Sequence, residues 1–543
     1  MRQRVRILAV VMALLAGAVP SRSGERLPSR DGGSLAAAPS GSGERLPSRD
    51  GGSLAAGNIR ITILHTNDIH GWIMPRPAAF YEKDPRRLVG GAAALAAYLK
   101  KVKGPRLLVD AGDCFEGTPE GALRDGRAIA GVFNAVGYDA LAVGNHEFDH
   151  GEKSLEEMIK LLKAPVLCAN IYRSDGRRPP EFKPWIVKDV AGVKVGLFGL
   201  LPNQMNALVL PEDIAGLAFR RGVDEAKDAV AALKREGATV IVALSHLGLE
   251  RPDGPAFEGD QSLAAQVEGI DLIVGGHSHT ALQEPLRDAT YGTLIVQAGS
   301  ELTRVGEVAL EIDPKSKKVV KSSGRLVDLW LDETGTDPAV AQLAAKLADE
   351  VERRYEAVVA TAAAALTRKW DGESALGDWV TDCVRAWAGT DLALQSSGGI
   401  RADIPAGPVT LRRLFEVMPF DDRVVKLVMK GKDVRSVLDH VVGRASIAQI
   451  SGARVSFHRK APEGKRLESV SIAGKPLVDD STYTVATVDF LVTGGVAYSY
   501  AAFDFAENKD FTNMLLREVL KRCAQKDPLI KTPPAGRLVL LGD

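Results

Sequence analysis

The chain has 543 residues, with 69 basic and 69 acidic side chains and a formal net charge of zero. Hydrophobic residues make up 45% and charged residues 25%, the balance of an ordinary globular protein; a wholly disordered chain, a fibrous repeat and a multi-pass membrane protein are excluded, and neutrality gives no support to duplex nucleic-acid binding through bulk positive charge. One hydrophobic core rarely grows past roughly 250–300 residues, so two or more domains are expected.

Residues 1–18 predict a Sec-type export signal. Arg2, Arg4 and Arg6 precede an apolar run at 7–15, and Ala16-Gly17-Ala18 offers small residues for cleavage after Ala18. The run is well short of the ~20 residues that span a bilayer, so a secreted or periplasmic protein without stable membrane insertion is expected. The fifteen residues SGERLPSRDGGSLAA then stand twice, at 23–37 and 42–56. Rich in Gly, Ser and charge, they cannot build a core and predict a flexible tether over 19–57. Residues 1–57 hold eight Arg and four acids, so the remainder is mildly acidic.

From 58 to about 335, short β-branched runs alternate with helical stretches such as 92–103, 154–162 and 223–236, the pattern of an α/β domain. Polar residues follow the strands. IRITILHTNDIHG carries Asp68 and His70, and RLLVDAGDCFEGT carries Asp113. YDALAVGNHEFDHG carries Asn145, His146 and Asp149, ATVIVALSHLG carries His246, and IDLIVGGHSHT carries His277 and His279. In α/β cores, ligand groups collect outside the carboxyl ends of strands. Asp68 and His70 are two apart, as are His277 and His279, so on extended chain each pair projects from one side. Asp113 has two oxygens with which to bridge two cations. This mixed nitrogen and oxygen set suits Zn, Mn or similar divalent ions better than Mg or Ca.

An Ala-rich stretch after Pro338 predicts a linker helix within 336–365, with Asp337 as N-cap. A second α/β-like region covers 366–543, with strands at 392–395, 424–428, 470–472 and 483–488 and helices at 375–388 and 432–442. The four cysteines, Cys114, Cys168, Cys383 and Cys523, are too few for a disulfide scaffold, and their spacing leaves any pairing open.

In this order, the blocks HTNDIHG, DAGDCFEGT, GNHEFDHG, SHLG and GGHSHT closely resemble the bacterial 5′-nucleotidase family of secreted two-domain metallophosphoesterases. The later blocks SSGGIRADIPAG, LFEVMPFDD and VDFLVTGGVAY resemble that family's second domain. The resemblance implies a four-layer αββα metallophosphatase sandwich over 58–335, joined by a helix to a C-terminal α/β substrate-binding domain over 366–543. It implies two divalent metal ions: Asp68, His70 and His279 on one, Asn145, His246 and His277 on the other, and Asp113 between them. His146 would stabilise charge on the phosphate or protonate the leaving oxygen, held by Asp149. Arg401 would bind anionic groups of a small-molecule nucleotide, Phe420 and Tyr498 would sandwich its base, and Asp504 would hold the ribose. Several positions depart from the family. Ser396 replaces an Asn, Val496-Ala497-Tyr498 replaces a DGY or DGF block, Asp422 replaces an Asn, and His279 stands where Gln or Asn is frequent. A further substrate arginine has Arg368 as its nearest candidate. The expected reaction is phosphate release from nucleoside 5′-monophosphates. The alternatives are hydrolysis of UDP-sugars or of 2′,3′-cyclic nucleotides, and a catalytically idle surface-binding protein; the last is disfavoured because all seven expected ligands are present.

Overall fold

The run of β-branched residues at 59–66 forms the strand Ile59–Thr66, which is buried from Ile61 onward. A strand apolar on both faces needs neighbours on both sides and cover on both faces. It pairs antiparallel with Arg304–Ile312 and parallel with Arg106–Asp110, at the centre of a six-stranded sheet that also holds Val319–Asp328, Ala140–Ala142 and Val166–Leu167. A second six-stranded sheet runs Leu286–Arg287, Leu294–Val296, Leu272–Gly275, Val240–Ser245, Val193–Leu200, Trp185–Val190. The computed structural model describes residues 57–78, 81–250, 257–444, 446–493 and 501–542; the expected export signal and all of the tether but Gly57 lie outside them.

Alternation along the strands builds the layers. Ile61, Ile63 and Val109 of the first sheet face Leu197, Val242 and Val274 of the second in one shared core. Leu64, Leu108 and Leu141 point the other way, into a core with the helices Ala92–Lys101, Ala130–Val136 and Gly151–Leu161. On the far side, Phe198, Ile241 and Ile273 pack with Gly222–Arg235 and Asp260–Gln266. The result is the expected αββα sandwich.

Asp337 caps the helix Pro338–Tyr355, its Oδ1 accepting from the Ala339 and Val340 amides at 3.0 Å each. The helix is shorter than the expected 336–365 span. Val358–Ala362 is instead a strand, paired with Gly407–Thr410 on one edge and Leu529–Ile530 on the other. Two sheet partners and the burial of Ala360 and Ala362 override the helical preference of alanine there. Val340 and Ala344 of the connector join the core of the first half.

The second half has its own core, around a five-stranded sheet of Ala448–Ser451, Leu392–Ser396, Thr482–Val488, Arg423–Lys430 and Asn508–Leu515. The expected helices there are Ala375–Ala388 and Gly431–Val442. Cys383 on the first of these is bonded to Cys523 on Leu516–Lys526, while Cys114 and Cys168 are buried free thiols. Both halves lie within one compact unit. Among the described residues, no helix is long and apolar enough to cross a membrane.

Candidate metal centre and its surroundings

The segments that follow the central parallel strands run side by side. The Asp68 amide donates to Gly112 O (2.9 Å), His70 to Asp113 O (3.0 Å) and Gly71 to Cys114 O (3.0 Å). This zipper sets Asp68 and His70 against Asp113. The two-residue spacing predicted extended backbone here, and the structure corrects that. Asp68, His70, Asp113, His277 and His279 all have positive φ, between 48° and 68°. Left-handed backbone at a non-glycine residue costs of order 1–3 kcal/mol and persists only where surrounding structure imposes it. Each pair therefore converges through a left-handed turn rather than along one face of a strand.

Two groups of donors result. Asp68, His70, Asp113 and His279 offer atoms within 4.8 Å of one another, and so do Asp113, His246 and His277. Asp113 belongs to both, and Asn145 joins the second group through Oδ1, 3.0 Å from His277 Nδ1. The partners of the other ring nitrogens show which nitrogens face inward. His70 Nδ1 donates to Glu116 O (2.8 Å), which leaves Nε2 without a proton, 2.9 Å from His279 Nε2. His246 Nδ1 donates to Ala111 O (2.7 Å), so its buried Nε2 faces Asp113 Oδ2 at 3.0 Å; burial lowers this imidazole, yet the Asp113 carboxylate pushes it up to about 10. Ring nitrogens and carboxylate oxygens that converge in this way in a buried cluster fit divalent cations, and second partners that orient the imidazoles are typical of metal sites.

Charge reinforces the geometry. Burial alone would raise the Asp113 carboxyl, but the imidazoles of His246, His146 and His70 hold it well below the usual carboxylate range. Burial, with the cationic form of His246 nearby, pushes His277 down to about 3, so it is a neutral donor at ordinary pH.

His146 stands beside these groups. Its amide donates to Asp113 Oδ1 (2.9 Å), and its Nδ1 lies 2.7 Å from Asp149 Oδ2. Burial lowers this imidazole, yet the Asp149 and Asp113 carboxylates push it up to about 9. From the second half, Arg401 reaches in with Nη2 at 3.2 Å from His70 Nε2, and the Phe420 ring stacks on His146 with centroids 5.2 Å apart. Arg368 sits behind Arg401 and binds Ile400 O through Nη1 (3.3 Å). Asp504 is exposed in the short turn Ala501–Phe505, with Lys509 Nζ at 3.4 Å, and is not drawn toward the cluster. Tyr498 lies outside the described residues.

Sequence reasoning missed the groups that hold this site in shape. Glu147 is buried, and its carboxylate accepts the amides of Asp113 (2.9 Å), Cys114 (2.7 Å) and Gly144 (2.5 Å). Asn67 binds Asp68 Oδ2 and Gly299 O (both 2.6 Å) and accepts the Ala298 amide (2.8 Å). The available signal was a polar residue directly beside each expected ligand, inside otherwise apolar or glycine-rich blocks.

A two-sheet sandwich with two donor groups at its strand ends defines a metal-dependent phosphoesterase. The comparisons agree: residues 61–281 match the calcineurin-like phosphoesterase family, and residues 356–503 match the 5′-nucleotidase C-terminal domain. The chain is 31% identical to protein UshA of Yersinia enterocolitica, over 88% of this chain and 94% of that one. It is 29% identical to a 5′-nucleotidase of Vibrio cholerae, over 81% and 86%. A solved 5′-nucleotidase precursor from Thermus thermophilus superposes with a TM-score of 0.80 at 28% identity, covering 89% of this chain and 99% of the other. The chain belongs to the two-domain 5′-nucleotidase family and is a metal-dependent phosphoester hydrolase.

Proposed function

We propose that this chain is an exported 5′-nucleotidase that holds two divalent cations, Zn, Mn or similar, and releases phosphate from nucleoside 5′-monophosphates. The observation that carries the reading is the sharing of one buried carboxylate, Asp113, by two donor groups, beside a His146–Asp149 pair. Asp68, His70 and His279 would hold one cation; Asn145, His246 and His277 would hold the other. When bound, the cations supply Lewis acidity toward phosphoryl oxygens and lower the pKa of water. The chain's own residues do the rest. Asp149 accepts from Nδ1 of His146, which fixes the tautomer and keeps the ring protonated near neutral pH. Nε2 is then the atom that gives a proton to the leaving ribose oxygen. Arg401 binds a phosphate oxygen through its planar fork. Phe420 presents a stacking face for the base, with Tyr498 as the second wall and Asp504 as the ribose partner in the substrate-filled state. Separate cores in the two halves support a division into a catalytic domain over 58–335 and a substrate domain over 366–543.

Export is supported by the basic, apolar and small-residue order of the first 18 residues and by the Cys383–Cys523 bridge, which suits an oxidising compartment. The experiment is a release assay on the metal-loaded protein with a nucleoside 5′-monophosphate, a UDP-sugar and a 2′,3′-cyclic nucleotide. Preferred turnover of the monophosphate is expected. Turnover confined to either of the others would replace the substrate, and none with any would return the chain to a binding role.

A further inference from the structure

Both groups that the second half sends to the site hang from the end of one short helix, Leu411–Val417. The carbonyl of Val417 accepts the Arg401 amide at 2.8 Å, which seats Arg401 against the end of the helix. Phe420 follows three residues later. Arg517 Nη1 clamps the turn between them, donating to the carbonyls of Met418 (3.1 Å), Pro419 (2.7 Å) and Phe420 (3.2 Å). At the other end of the helix, Thr410 caps the Arg413 amide and Arg412 occupies the first turn.

Arg412 reaches across to the first half. Its Nη1 lies 2.6 Å from Glu120 Oε1 and 2.8 Å from Oε2, and the Glu120 side chain is only 3% exposed. Two other carboxylates face Arg412, Glu416 and Glu352; Glu416 is engaged by Arg413 Nη1 at 2.8 Å. Glu120 sits on the helix Pro119–Ala122, which is locked to the ligand loop. Thr118 Oγ1 donates to Gly71 O (2.8 Å), and the backbones of Gly71 and Gly121 touch so closely that a Cβ on Gly121 would fall 2.5 Å from Gly71 Cα. A Cβ on Gly117 would likewise strike His70 O at 2.6 Å. The Glu120 carboxylate is therefore a fixed point relative to His70.

We propose that the Arg412–Glu120 pair is a positioning device for the reaction: it seats the Leu411–Val417 helix on the ligand loop and so places Arg401 beside His70 and Phe420 over His146. The helix is a lever of about five residue steps from Arg412 to Val417, about 7.5 Å at 1.5 Å per residue. A small tilt at the anchored end moves both groups at the other end. A misplacement of about 1 Å in a substrate-positioning group costs on the order of 10²-fold in rate.

The inference rests on the nucleotidase reading for its substrate, and the test separates the two. Wild type, Arg412→Ala, Arg412→Lys and the isosteric Glu120→Gln are compared in three measurements: nucleoside 5′-monophosphate turnover, affinity for the free nucleoside by calorimetry, and Mn²⁺ binding by calorimetry. Arg412→Ala is expected to lower kcat/KM for the nucleotide by about 10- to 100-fold. Nucleoside affinity should fall by about 10-fold, from the loss of the aligned stacking face. Mn²⁺ affinity should stay at the wild-type value, and Arg412→Lys should recover most of both losses. If Arg412→Ala fails to fold, Glu120→Gln carries the same expectations without leaving a buried carboxylate unpaired. Wild-type turnover and nucleoside affinity in a folded variant would overturn the inference. A parallel loss of Mn²⁺ binding would overturn it as well, since the pair would then support the metal loop rather than the placement of Arg401 and Phe420. A wild-type protein that releases no phosphate from the nucleotide would instead sink the nucleotidase reading.

Discussion

Gly144 offers a sharp perturbation of the donor cluster from outside the ligand set. A Cβ built on it would fall 2.2 Å from Asp113 Oδ1 and 2.5 Å from the Asp113 amide nitrogen. Real Cβ contacts essentially never fall under 3.0 Å, so in Gly144→Ala the shared carboxylate has to retreat by most of an ångström. It has little room to do so. Asp113 Oδ1 already accepts the His146 amide, and the Asp113 and Gly144 amides share Oε2 of the buried Glu147. Overpacking of this kind costs about 1–3 kcal/mol of stability, so the fold survives with a lower Tm. The larger effect falls on function. A ligand displaced by about 1 Å should cost on the order of 10²-fold in turnover, and loss of support around a metal ligand about 10- to 100-fold in metal affinity. Mn²⁺ titration by calorimetry, with turnover on the loaded variant and a thermal melt, reads all three. A variant that binds Mn²⁺ and turns over within twofold of wild type would refute the placement of Asp113 at the centre of the site.

His146→Ala should lower kcat by about 10²- to 10⁴-fold, as for loss of a general acid, with metal content by elemental analysis unchanged; an equal loss of metal would make His146 a ligand. Asp149→Asn removes a carboxylate that raises the His146 imidazole, so the protonated form is lost at lower pH and the alkaline limb of the kcat profile moves down; an unmoved limb would take His146 out of the acid role. Cys383 and Cys523 are 140 residues apart, so Cys383→Ser should destabilise the protein by about 2–5 kcal/mol in thermal unfolding, with the same drop in wild type under reductant; no change would show that the bridge does not form in solution.

The α/β core was legible because short β-branched runs alternate with helical stretches from 58 to about 335. The layering into two covered sheets came instead from the resemblance of the motif blocks to the 5′-nucleotidase family. The donors were legible because ligand chemistry is confined to few residue types and strand ends are where an α/β core exposes them. What the spacing could not supply was the backbone. Nothing in D-x-H or H-x-H distinguishes an extended segment from the left-handed turns at Asp68, His70, His277 and His279, because the strain is imposed by neighbouring segments far away in sequence. The same limit hid the strand at 358–362, where alanine's local preference lost to two sheet partners, and the Arg412–Glu120 contact, whose members are 292 residues apart. Glu147 was within reach, since a carboxylate directly after an expected catalytic histidine needs an explanation, and three backbone amides supply one.

The central claim is that two cations shared through Asp113 run a phosphomonoesterase. The most direct measurement is phosphate release from a nucleoside 5′-monophosphate by the chelator-stripped protein as Mn²⁺ or Zn²⁺ is added back in known equivalents. The account predicts no release from the stripped protein and an activity that rises to a plateau at two equivalents per chain. Full activity in the stripped protein or at one equivalent, or two equivalents bound with no phosphate released, would contradict it.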